Sequence, residues 1–356
     1  MTRLQSMQWG VVRIDGGEPQ PALRAGDRAI LAAELRLDGD PDLRHAVNAP
    51  TLNALIELGP GAWRAVQDAA ADAPAEARIA LNRLTPVLPV RIPDYVDFYA
   101  SLEHATNFAR IFRMGAGVRD NWRHMPVAYH GRASTVVVSG TEIRRPRGQI
   151  APGELQPTAA LDLECELGYV CGPSATGPIA IDRAEEHIFG VVLVNDWSAR
   201  DIQRYEYEPL GPFLGKSFAT SMSAWITPLD ALGSARTAPR TQDPPPAPYL
   251  TAKEPWLLDV ALEVEVNGEV VSRPSASRLY WSPAQMLAHL TVNGARLSAG
   301  DLFATGTVSG SQPGTEGSLA ELYGGERWLA DGDEVVLRGR AGTVELGAVR
   351  GRVAAP

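Results

Sequence analysis

In the run LDLECELGYV, Asp162, Glu164 and Glu166 alternate with Leu161, Leu163, Cys165 and Leu167. Period-two alternation puts the three acids on one face of a strand. Adjacent glutamates on one face repel, so that face is either solvated or shared with a hard cation such as Mg²⁺ or Ca²⁺, which takes carboxylate oxygens. Asp196 closes the apolar run FGVVLVN, where an unpaired charge would be costly. An ion pair with Arg200 or a shared cation would each answer that cost. Ser198 and Asp201 have the spacing of a capping box, opening a helix on which Arg200, Gln203 and Tyr207 fall near one face. Asp97 precedes a second helix that Ser101 would cap, with His104, Phe108 and Ile111 along one side. On their own, His104 reads as a packed helix residue and Glu321, three after Ser318, as part of a cap. Arg200 and Gln203 read alone as a solvated helix face, and Lys216 as a surface amine.

The elements that must hold these residues are short. Trp9 to Ile14 reads as a strand, and Thr51 to Leu58 and Trp63 to Ala71 as helices, the last ending near Pro74. Three prolines within LTPVLPVRIP stop any helix and mark a boundary, giving a small N-terminal domain at 1–88 and a larger one at 89–356. Beyond it, apolar runs punctuated by Gly and Pro predict strands at Thr135 to Ser139, Leu161 to Val170, Gly190 to Asn195, Leu258 to Val266 and Glu334 to Leu337. The Pro-rich stretch 237–250 is read as an extended loop within the second domain. The fold class is therefore mainly β with some helix.

Composition narrows the function. The chain has 356 residues, 45% of them hydrophobic and 21% charged, with 34 Gly and 28 Pro, which fits a loop-rich globular protein. A net charge of −9 without a long Lys or Arg run argues against nucleic acid as a partner. The longest apolar run, Ile188 to Val194, is far short of the roughly 20 residues that a membrane helix needs. The first residues lack a signal-peptide core, and Cys165 and Cys171 are the only cysteines, so a cytoplasmic protein with both thiols reduced is expected. GPFLGKS has three residues between its glycines where a phosphate-binding loop needs four. Serine-elbow and common zinc motifs are absent from the sequence.

The segments DFYASLEHATN, YHGRAS, LDLECEL, NDWSARDIQRYEYEPLGPFLGKSF and LFATGTVSGS, with the later Glu321, closely resemble the fumarylacetoacetate hydrolase family from about residue 90 to the C-terminus. The resemblance implies a small SH3-like N-terminal domain, a β-roll catalytic domain, a homodimer and a bound Mg²⁺ or Ca²⁺. It implies hydrolysis of the carbon–carbon bond of a 1,3-diketo acid to fumarate and acetoacetate, at the end of tyrosine breakdown. By motif position it makes Asp97, Glu164, Glu166 and Asp196 the metal ligands. It makes His104 the general base on water, oriented by Glu321, roles that suit an imidazole with a carboxylate partner at neutral pH. Arg200, Gln203 and Lys216 become stabilisers of developing negative charge, and Tyr99, Arg113, Tyr129, Tyr207 and Thr307 hold the small-molecule substrate. Two departures stand out: the N-terminal domain and the segment between Leu322 and Asp331 are shorter than in the family's animal members. Glu103, where an amide is expected, either faces the site or points to solvent. A related keto-acid decarboxylase, hydratase or tautomerase is the alternative.

Overall fold

The strand Ile188–Asp196 is buried along its whole length and lies at the centre of the computed structural model, which describes residues 7–37, 39–112 and 117–356. Its Ile, Val and Phe side chains suit a pleated surface covered on both faces. It pairs antiparallel with Cys165–Cys171 on one side and with Thr220–Met222 and Trp225–Pro228 on the other. Gln8–Ile14 extends the sheet beyond Trp225–Pro228. Beyond Cys165–Cys171 come Leu302–Ala304, Tyr95–Phe98 and Ala128–Gly131. Among the described residues this sheet has 13 strands, and a second sheet of five includes Ala261–Val266, Glu334–Ala341 and Val344–Ala354.

Alternation along the central strands sends side chains to two cores. Leu167, Val191 and Leu193 join Val264, Leu337 and Val349 of the second sheet. Val170, Phe189, Val192 and Val194 instead pack with Leu43, Leu55, Ile56 and Val66, carried by the helices Pro41–Val47, Asn53–Glu57 and Pro60–Asp72. Each such side chain contributes about 1.5–3 kcal/mol on burial. Glu166 shares its face with Val170 and lies near the opposite end of the strand Cys165–Cys171.

The fold is mainly β with some helices, as the sequence predicts, and Trp9 to Ile14 falls within Gln8–Ile14. Three expectations are corrected. The strand expected over Leu258 to Val266 is interrupted, with Leu257–Leu258 and Ala261–Val266 as separate strands. The strand expected over Leu161 to Val170 is broken into Leu161–Asp162 and Cys165–Cys171. Glu164 lies in the gap, where its backbone N–H donates to the Asn195 side chain at 3.1 Å instead of to a ladder carbonyl. The register carries through, with Leu161 opposite Ala199 and Cys165 opposite Asn195. The Ser198–Asp201 capping box does not form. Ser198 Oγ donates to the Asp196 carbonyl at 3.1 Å, and Asp201 accepts from Thr158 Oγ1 and from the Ala159 N–H at 2.8 Å.

Candidate active site

Four acids from three separated strands and the gap between two strand pieces converge. Asp97 sits on Tyr95–Phe98 opposite Ala304 and Tyr129, Glu164 in the strand gap, Glu166 on Cys165–Cys171, and Asp196 at the end of Ile188–Asp196. All four are buried, and one carboxylate oxygen of each lies within 4.8 Å of the others. The solvated-face reading of Glu164 and Glu166 is thereby excluded. Asp97 Oδ1 and both carboxylate oxygens of Glu166 have no hydrogen-bond partner among the described residues. Buried oxygens without donors are rare, and oxygen-only donors converging on one point match the preference of a hard divalent cation. The residues present thus fit such an ion.

Electrostatics separate the four acids. Burial, followed by the charges of its acidic neighbours, pushes Asp97 and Glu166 well above the ordinary carboxylate range. Burial also pushes Glu164 upward, but Lys216 and Arg200 outweigh it and hold that acid well below its usual value. Tyr129 donates toward Asp97 Oδ2 at 2.8 Å and Asp196 Oδ2 at 2.7 Å. Burial and those two acids raise the Tyr129 phenol, so it keeps its proton as a donor.

Lys216, read alone as a surface amine, is 4% exposed. Its Nζ touches Glu164 Oε2 and lies 2.6 Å from Asp196 Oδ2. Those acids overcome the desolvation of the ammonium and hold it charged. Arg200, at the start of the helix Arg200–Glu206, does not pair with Asp196. Its guanidinium donates to Glu164 Oε1 at 2.7 Å, to Asp162 Oδ2 at 2.8 Å and to Gln203 Oε1 at 3.1 Å. Phe108 lies 4.7 Å beneath its face, a cation–π contact.

Ser101 caps the helix Leu102–Phe112, accepting from the His104 N–H at 3.2 Å. His104 is 3% exposed; its Nδ1 lies 2.7 Å from Glu321 Oε2, and its Nε2 points at the acid cluster, 3.9 Å from Glu164 Oε1. Glu321 also accepts from Asn107, Ser309 and Ser318. Burial pushes Glu321 upward, but His104, Asn107 and Ser318 bring it below its ordinary value. Ser318 caps as predicted, accepting from the Glu321 N–H at 3.4 Å, so cap and dyad coexist. Tyr99 stands edge-on to His104 with ring centroids 5.1 Å apart. Thr307 is buried with its hydroxyl unpartnered among the described residues, whereas Tyr207 is 43% exposed. Arg113 lies outside the described residues. Glu103 does not point into bulk solvent: its Oε1 pairs with Arg240 of the Pro-rich loop at 2.8 Å.

Sequence reasoning did not single out Asp162, Asn107, Ser309 or Thr220, which hold Arg200, Glu321 and Asp196 in place. Asp162 carried a signal, the shared strand face with Glu164 and Glu166. Asn107 carried another, one helical turn after His104.

Residues 95–354 match the family described as fumarylacetoacetate (FAA) hydrolase C-terminal. The chain is similar to the fumarylacetoacetase of Rattus norvegicus, with 41% identity over 381 residues, covering 94% of this chain and 91% of that protein. It is also similar to the fumarylacetoacetase of Homo sapiens, with 42% identity over 369 residues, covering 91% and 88%. Among solved structures, a fumarylacetoacetate hydrolase from psychrophilic Exiguobacterium antarcticum shares the fold. Its TM-score is 0.65 at 21% identity, over 99% of this chain and 100% of that one.

Proposed function

The chain belongs to the fumarylacetoacetate hydrolase family, and from that premise we propose that it hydrolyses the carbon–carbon bond of fumarylacetoacetate, giving fumarate and acetoacetate. The observation that carries this reading is a histidine–carboxylate pair aimed into a cluster of four buried acids. Asp97, Glu164, Glu166 and Asp196 would hold Mg²⁺ or Ca²⁺, which when bound supplies a Lewis acid to the oxygens of a 1,3-diketone.

The remaining steps belong to side chains. Glu321 holds Nδ1 of His104, which fixes the tautomer and leaves Nε2 to take a proton from water. The resulting imidazolium is stabilised by the same carboxylate. Attack on the ketone builds negative charge on oxygen, and bond cleavage then moves it into the departing acetoacetate unit as an enolate. Lys216 and Arg200 touch the acid cluster and Gln203 touches Arg200; the three are assigned to stabilising that charge, and a fixed donor of this kind is typically worth a few kcal/mol of barrier. The proton taken by His104 is available to the departing carbon. Tyr99, Tyr129, Tyr207, Thr307 and Arg113 are assigned to holding the substrate's carboxylates and chain. Decarboxylation, hydration or tautomerisation is not favoured, since the oriented His104–Glu321 pair is suited to activating water for attack.

The finer features expected from the family belong to the same reading: an SH3-like domain over 1–88, a β-roll domain over 89–356, and a cytoplasmic homodimer. The exposure of Leu210 at 97% and Phe213 at 62% supports a surface covered by a second chain, and two free buried thiols support a reducing compartment. The test is incubation with fumarylacetoacetate in Mg²⁺- or Ca²⁺-replete buffer, scoring both products. Equimolar fumarate and acetoacetate are expected; no turnover would overturn the substrate assignment.

A further inference from the structure

Asp162 is fully buried and stands outside the group of four acids, yet it touches both halves of the proposed machinery. Its Oδ2 accepts from Arg200 Nε at 2.8 Å, with Nη2 of the same guanidinium also at 2.8 Å. Its Oδ1 accepts the backbone N–H of Leu319 at 2.8 Å, and its Oδ2 that of Ala320 at 3.3 Å. Leu319 and Ala320 open the single turn Leu319–Leu322 that carries Glu321.

We propose that Asp162 is a positioning residue that holds Arg200 and the Glu321 turn in one frame; this deepens the hydrolase reading and rests on it. Without Asp162, the guanidinium would be free to rotate and give both edges to Glu164, its remaining buried acid, because bidentate Arg–carboxylate pairing is strong. With Asp162 on the Nε edge and Phe108 beneath, Arg200 reaches Glu164 through Nη2 alone and turns Nη1 toward Gln203. The same carboxylate fixes the backbone just before Glu321, and so fixes the orienting partner of His104.

The test uses Asp162→Asn, which keeps the size and one acceptor oxygen but sets an amide against the guanidinium. kcat for fumarylacetoacetate should fall about 10- to 100-fold, the range seen for outer partners of active groups, with KM little changed. In an Arg200→Gln background the same substitution should cost much less, because the two residues act as a unit. In crystals of Asp162→Asn, the guanidinium should have left its edge contact. Equal losses in both backgrounds, or an unmoved guanidinium with an intact His104–Glu321 contact, would overturn the proposal. If Asp162→Asn does not fold, Asp162→Glu, which retains the charge but displaces it by one methylene, is read by the same crystallographic criterion. That criterion needs no turnover, so an inactive wild type would defeat the substrate reading while the guanidinium position still decides on Asp162.

Discussion

Nδ1 of His104 and Oε2 of Glu321 lie 2.7 Å apart, although 217 positions separate them in the chain. Ser318, Ser309 and Asn107 all donate to that one carboxylate, so Glu321 cannot swing away from the imidazole without breaking several bonds. The geometry leaves Nε2 as the ring nitrogen that faces the acids.

His104→Ala should lower kcat by about 10²- to 10⁴-fold, the usual contribution of a positioned base. Binding of Mg²⁺ or Ca²⁺, measured by calorimetry, should be unchanged. Near wild-type turnover would remove His104 from the mechanism.

Acid titration tests Glu321 separately. Its folded value lies below its ordinary one, and a depressed carboxylate contributes stability above its unfolded pKa of about 4.3 that is lost as pH falls through the folded value. Urea unfolding should show wild type losing stability below about pH 4 more steeply than Glu321→Gln. The two should differ most near neutrality and converge in acid; parallel curves would contradict the assignment.

Lys216→Met should separate stability from binding. Removing the ammonium leaves Glu164 and Asp196 short of a buried partner, at a cost of about 3–5 kcal/mol in chelator-treated protein. Saturating divalent ion should restore most of the lost Tm, whereas kcat should stay about 10²- to 10³-fold down. Destabilisation that the ion does not relieve would show that Lys216 serves packing instead of charge.

Gly306 is held at φ +71, and an added Cβ would lie 2.1 Å from the Phe98 carbonyl oxygen. Gly306→Ala should cost at least about 1–2 kcal/mol from the backbone conformation alone, and more from the clash. Because Gly306 separates the strand Leu302–Ala304 from Thr307, turnover should fall as well. A Tm equal to wild type would contradict this account of the turn.

The sequence made some of this site legible and hid the rest for physical reasons. Glu164 and Glu166 stood out because leucines alternate with them, and Asp196 because it ends an apolar run. Asp97 was less informative: its strand has four residues, and one of the strands that pairs with it, Leu302–Ala304, lies about 200 positions away. Lys216 sits in a Gly- and Pro-rich segment where no periodicity reports burial. The Ser198–Asp201 spacing resembles a cap that does not form, because Thr158 and Ala159, remote in sequence, claim the Asp201 carboxylate. The surroundings of Glu103 are hidden in the sequence because its partner Arg240 lies 137 positions away. Local pattern reveals which residues a strand or helix presents, and long-range pairing decides what they meet.

Asp97, Glu164, Glu166 and Asp196 would together bind one divalent ion. Calorimetric titration of Mg²⁺ or Ca²⁺ into chelator-treated wild type and Glu166→Gln tests it directly. Wild type should bind one ion per chain, and Glu166→Gln should raise Kd by more than the roughly 10-fold lower bound for losing an outer partner. Absence of binding to wild type, or equal affinity for both proteins, would contradict it.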